Sequence, residues 1–137
     1  MDLLIVGAAT GLLFGSFFIT FTCLLIFFMY KDNHPVVKKM LDSSTPTRFV
    51  MSVLLFSNFS FAVLGIIFTY IYIFLQNIFT LEEYLITNIF YIIFVIILAI
   101  PMTVFTIRFV KSHYFMIFIC LGIYIALFGI LIPLLIN

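Results

Sequence analysis

Four long apolar runs, separated by three short polar connections, organise the chain. They extend from about Leu3 to Tyr30, Phe49 to Leu75, Leu85 to Ile107 and Tyr114 to Ile136. Each is long enough to cross a hydrocarbon core of about 30 Å, which takes about 20 helical residues. The many Ile, Phe, Val and Tyr residues would favour strands in water. In lipid, each backbone polar group must be satisfied within its own segment or in a closed barrel. Barrel strands are about ten residues long with alternating polar positions, whereas these runs are longer and apolar on all sides. The pattern predicts an all-α integral membrane protein: four transmembrane helices in an up-down bundle, one domain over residues 1–137.

The connections differ in charge. Lys31, Lys38, Lys39 and Arg48 lie in or beside the first, and Arg108 and Lys111 in the third. The second, Gln76 to Tyr84, carries Glu82 and Glu83 and no basic residue. Four spans place every Lys and Arg on one side, which the positive-inside rule makes cytoplasmic. Both termini are then expected on the extracytoplasmic face of a plasma or energy-transducing membrane. The first run lacks a basic leading region and is too long for the apolar part of a signal peptide, so it is expected to be retained as a span. Within the first connection, Val36, Val37, Met40 and Leu41 fall on one side of a helix and Lys38, Lys39 and Asp42 on the other. This predicts a short amphipathic turn lying in the interface, opened by Pro35.

Composition strengthens the class and narrows the function. About 66% of residues are hydrophobic and 8% charged, with a mean hydropathy of +1.42; a soluble domain is nearer half apolar and a quarter charged. A net charge near +1 gives no electrostatic case for nucleic acid. Twenty Phe and no Trp leave the seven Tyr to form any interfacial belt, with Tyr30, Tyr84 and Tyr114 near span ends.

Lipid tails are as apolar as Leu, so spans associate by close packing through small residues. The first span carries Gly7, Gly11 and Gly15, a doubled GxxxG that keeps three glycines on nearly one face. The second places Asn58, Ala62, Gly65 and Thr69 at steps of four, three and four; Gly122, Ala126, Gly129 and Pro133 repeat that spacing in the fourth. The third offers Ala99, Thr103 and Thr106. Asn58 lies about halfway through its span, where an unpaired amide would cost several kcal/mol, so a hydrogen bond to a neighbouring helix is expected. Pro101 is placed to interrupt the third span.

Site chemistry is sparse. No Asp, Glu, Lys, Arg or His falls inside a predicted span, which argues against a proton-coupled transporter or pump working alone. His34 and His113 both belong to the basic side and are the weak candidates for a metal, with Asp32 and Asp42 near the first in sequence. Cys23 and Cys120 are expected at similar depth as inert thiols. No nucleotide, nucleophile-elbow or paired-cysteine motif occurs. The chain is therefore expected to be no enzyme and to carry no cofactor beyond bound lipid. The expected role is a non-catalytic accessory subunit of a larger multi-subunit membrane complex, an enzyme or a transporter, packing around and stabilising its catalytic or transport subunits. The alternatives are a small channel or exporter formed by homo-oligomerisation, with Ser52, Ser57, Asn58 and Ser60 as its polar lining, and a lipid- or quinone-binding membrane protein.

Overall fold

The structure, a computed structural model, describes residues 2–43, 46–79, 84–111 and 113–137. The chain forms α1 (Leu3–Lys31), α2 (Pro35–Ser43), α3 (Pro46–Ile78), α4 (Tyr84–Val110) and α5 (Tyr114–Tyr124). A π-helical stretch, Ile125–Leu131, then leads without a break into α6 (Ile132–Ile136). Four helical stretches are long and apolar enough to cross a membrane, the last running from Tyr114 to Ile136. This is an all-α, four-helix membrane bundle. Glu82 and Glu83 lie outside the described residues.

Local chemistry sets the ends of these helices. After α1, Asn33 adopts φ 59°, the left-handed position that closes many helices. Its N–H donates to the Tyr30 carbonyl at 3.1 Å and the His34 N–H to the Met29 carbonyl at 2.9 Å, so two carbonyls of the last turn are satisfied. Pro35 comes next and starts α2, as Pro46 starts α3, where a missing N–H is harmless. The α4–α5 turn places Lys111 at φ 57° and His113 at φ 55°, with the Lys111 N–H donating to the Ile107 carbonyl at 3.0 Å. Pro101, expected to interrupt the third span, does not: α4 runs continuously through it. Pro101 is exposed, and membrane helices tolerate interior proline.

The closest helix pair is α1 with α3. Gly7, Gly11 and Gly15 lie directly on the α3 backbone. A Cβ added at Gly7 would stand 2.7 Å from the Ile66 Cα; one at Gly11 would overlap the Phe61 carbonyl and lie 2.7 Å from the Ala62 Cα. From the other side, a Cβ on Gly65 would collide with the Gly7 carbonyl and lie 3.0 Å from the Gly11 nitrogen. Thr10 and Thr69, both buried in this seam, turn their hydroxyls to their own helices, donating to the Val6 carbonyl at 2.8 Å and the Gly65 carbonyl at 3.0 Å. That removes the need for a polar partner across the seam.

Aromatic rings fill the centre. Phe68 is fully buried and its ring meets those of Tyr91, Phe94, Tyr124 and Phe128, the last at a centroid distance of 5.1 Å. Phe14 brings α1 into the same cluster, edge-on to Phe61 at 4.7 Å and to Tyr124 at 5.5 Å. Most of these pairs are tilted or edge-to-face, the arrangements the ring quadrupole favours. A second, smaller core of Met29, Val37, Val110 and Ile117 ties α2 to the ends of α1, α4 and α5.

The π stretch divides the small-residue stripe of the fourth span. Gly129 and Pro133 are buried, whereas Gly122 and Ala126 are exposed and a Cβ at Gly122 would meet nothing within 4 Å. Steps of four and three share a face only while the helix keeps 3.6 residues per turn; i→i+5 pairing widens the turn and rotates the residues beyond it. The stretch also has a polar consequence. In an i→i+5 ladder the donor facing the Phe128 carbonyl is residue 133, a proline without an N–H. The buried Tyr91 hydroxyl supplies the bond from α4 at 2.6 Å. Tyr91→Phe leaves that carbonyl unpaired and is expected to cost about 1–2 kcal/mol, measurable by unfolding in mixed micelles; no loss would mean that the carbonyl finds another donor.

Candidate functional site

The two ends of the bundle differ chemically. At the end away from the basic loops, Tyr72 donates to the Asn88 Oδ1 at 2.7 Å and accepts from the Asn137 Nδ2 at 2.6 Å, while the Gln76 Nε2 donates to the Asn137 Oδ1 at 2.8 Å. These bonds join α3, α4 and the chain's last residue. Sequence spacing gives no sign of this network, because each member stands alone among apolar neighbours and only the fold brings them together. Every group in it is neutral, so the arrangement locks helices and offers no acid or base.

Asn58, expected to bond to a neighbouring helix, places its Oδ1 against Gly15 instead. That oxygen is buried without a hydrogen-bond partner and lies 2.7 Å from where a Gly15 Cβ would project. The bare glycine leaves only a Cα–H to face it, a weak donor. Ser57 beside it is buried, Ser60 half-buried and Ser52 exposed. The Ser52 hydroxyl donates to the Arg48 carbonyl at 2.8 Å.

His113 and His34 both stand at the basic end, in different surroundings. The His113 Nε2 lies 3.0 Å from the Asp32 Oδ2, joining the α1 and α4–α5 turns, and its ring stacks on Phe28 at 5.2 Å. The His34 ring packs against Phe109 at 5.7 Å, and its Nδ1 is buried without a partner. Among the described residues, no three His, Cys, Asp or Glu side chains converge as a metal site would require. Cys23 and Cys120 are both free thiols; Cys23 is exposed, whereas Cys120 turns inward.

The feature best suited to a ligand is a cavity of about 630 Å³, within the range of ordinary small-molecule sites. Its walls are α1 from Phe14 to Met29, α4 from Leu98 to Val110, the inner face of α5 and, from α3, Phe61, Leu64 and Phe68. Val37 and Met40 of α2 line its basic end. The predicted turn is a helix that borders the cavity through Val37, which is buried, while Val36, Lys38, Lys39 and Met40 are exposed. The α3 residues from Met51 to Ser60 contribute nothing to the wall. Leu98 and Met102 line the cavity and are nevertheless 43% and 65% exposed, so it opens sideways. The ring contacts between α3 and α4, from Phe68–Tyr91 to Phe68–Phe94, lie farther toward the other end, where the two helices close up.

The lining is almost wholly hydrocarbon. Of its four hydroxyls, that of Tyr124 is aimed at the Val95 carbonyl at 3.3 Å and that of Thr106 is donated to the Met102 carbonyl at 2.8 Å; the other two belong to Thr22 and Thr103. Such a surface can hold an apolar chain and has little with which to orient a polar ring. Comparison with family models, curated proteins and solved structures finds no match to this chain.

Proposed function

We propose that this chain is a non-catalytic accessory subunit of a larger membrane assembly, which it packs against and stabilises. It acts through surface and holds no reaction centre of its own. The observation that carries the reading is the distribution of its side chains. Every Asp, Glu, Lys, Arg and His lies at or beyond the span ends, while bulky side chains such as Phe56, Phe59, Phe74 and Phe105 stand exposed along α3 and α4. Charged groups within the membrane are the usual mark of transport or proton chemistry. The proposed orientation keeps both termini extracytoplasmic and the basic end, with α2 and the cavity mouth, cytoplasmic.

The self-assembling channel is disfavoured by the seam. Gly7, Gly11 and Gly15 of α1 pack against Gly65 and its neighbours within one chain, so this small-residue surface is not free for contact between copies. Purification from native membranes in mild detergent, with mass spectrometry of co-purifying chains, tests the proposal. Larger integral-membrane proteins in fixed stoichiometry are expected. A chain recovered alone, or only with copies of itself, would overturn the subunit reading.

A further inference from the structure

We infer that the cavity is a binding site for one anionic phospholipid from the leaflet at the basic end, its acyl chain inside and its phosphate among the lysines and arginine at the mouth. The cavity has the depth for it. Along α1 the lining runs from Phe14 to Met29, about 22 Å at 1.5 Å per residue. Along α4 it runs from Leu98 to Val110, about 18 Å. Half of a 30 Å hydrocarbon core is about 15 Å, so the cavity matches the reach of a chain held in one leaflet. Its lateral opening, beside the exposed lining residues Leu98 and Met102 of α4, faces the place where such chains lie.

Polarity points the same way. A quinone or a porphyrin carries polar groups that would sit among the apolar walls and require several donors there; the Tyr124 and Thr106 hydroxyls are directed at backbone carbonyls, which leaves only those of Thr22 and Thr103. A lipid places its polar part at one end only, and the charges of the molecule are at that end. Lys38 follows Val37, Arg108 precedes Phe109 and Lys111 follows Val110, so each cation is a chain neighbour of a lining residue. All three are exposed; the Lys38 Nζ donates to the Asn33 Oδ1 at 3.4 Å, and among the described residues no Lys or Arg side chain is in an ion pair. The two carboxylates at that end, Asp32, which meets His113, and Asp42, stand against six Lys and Arg residues. A rim of net positive charge beside an apolar slot is complementary to an anionic amphiphile. Each cation near a membrane surface contributes about fivefold to affinity for anionic lipid.

This inference holds whether or not a protein partner covers the outer faces. Native mass spectrometry of the delipidated full chain, titrated with phosphatidylglycerol or phosphatidylcholine of equal chain length, tests it. One phosphatidylglycerol is expected to bind, tighter than phosphatidylcholine by about tenfold or more. Lys38→Gln with Lys111→Gln should erase most of that preference, about 25-fold at most, without touching the walls. Cys120→Phe fills the cavity and should weaken both lipids together while the thermal midpoint shows that the bundle still folds. Equal binding of the two lipids by the wild type, or a charge-neutralised double variant that keeps its preference, would overturn the inference. So would an assembly in which a partner's helix occupies the slot and no lipid is retained.

Discussion

Gly11→Leu should disrupt the pairing of α1 with α3 and be among the most damaging single substitutions in the chain. Its Cβ would overlap the Phe61 carbonyl. That obstacle is backbone, so no side-chain rotation relieves it and the two helices must move apart. Overpacking a tight core costs about 1–3 kcal/mol and sometimes more; the upper end applies here because separation also loosens the seam at Gly7 and Gly65. In lipid no hydrophobic drive compensates for lost packing. Two controls isolate the mechanism. Gly122→Leu adds the same side chain to the same residue type where nothing lies within 4 Å, and Leu12→Ala trims a residue that is 46% exposed. Both should be nearly neutral by unfolding in mixed micelles. If Gly11→Leu were as stable as the wild type, the seam would not be a close contact.

Phe68→Ala should come next. Four other rings surround this fully buried side chain, and its removal leaves a void that helices α1, α3, α4 and α5 cannot readily close. Transfer from water contributes little when the unfolded reference is itself in lipid, so the cost is mainly that of the void. At about 24 cal/mol per Å³, a benzene-sized void of about 150 Å³ sets a ceiling of about 3.5 kcal/mol. Phe56→Ala, on an outward position, should cost far less. Equal effects at the two positions in the same assay would mean that the ring cluster does not hold the bundle together.

The four spans were legible because a single physical demand, satisfying the backbone inside lipid, shaped their length and composition. Their ends were less legible. The second span starts at Pro46 and reaches Ile78 rather than stopping near Phe49 and Leu75, because a helix continues into the interface as long as capping chemistry permits. The glycines of α1 could be placed on one face from spacing, but nothing in the spacing said which helix they would meet. The stripe of the fourth span failed for a definable reason: periodicity assumes 3.6 residues per turn, and the π stretch at Ile125–Leu131 changes it. Pro133 and Tyr91 together mark that stretch, yet they are 42 positions apart in the chain and only the fold joins them. The cavity was invisible for a related reason. Its walls are ordinary apolar residues drawn from five helices, and the space between them depends on how those helices pack, which no run of residues encodes.

The proposed role depends most on the glycine seam being internal to one chain, since that leaves the outer faces for partners and denies copies of the chain their meeting surface. A site-specific photo-crosslinker at Ala8, the half-buried residue that follows Gly7 on α1, tests this directly, with products mapped by mass spectrometry after irradiation in native membranes. An internal seam predicts an intramolecular product joining α1 to α3 near Ile66 and Thr69, the neighbours of Gly7. A product at the mass of two chains, or of this chain with another protein, would contradict it.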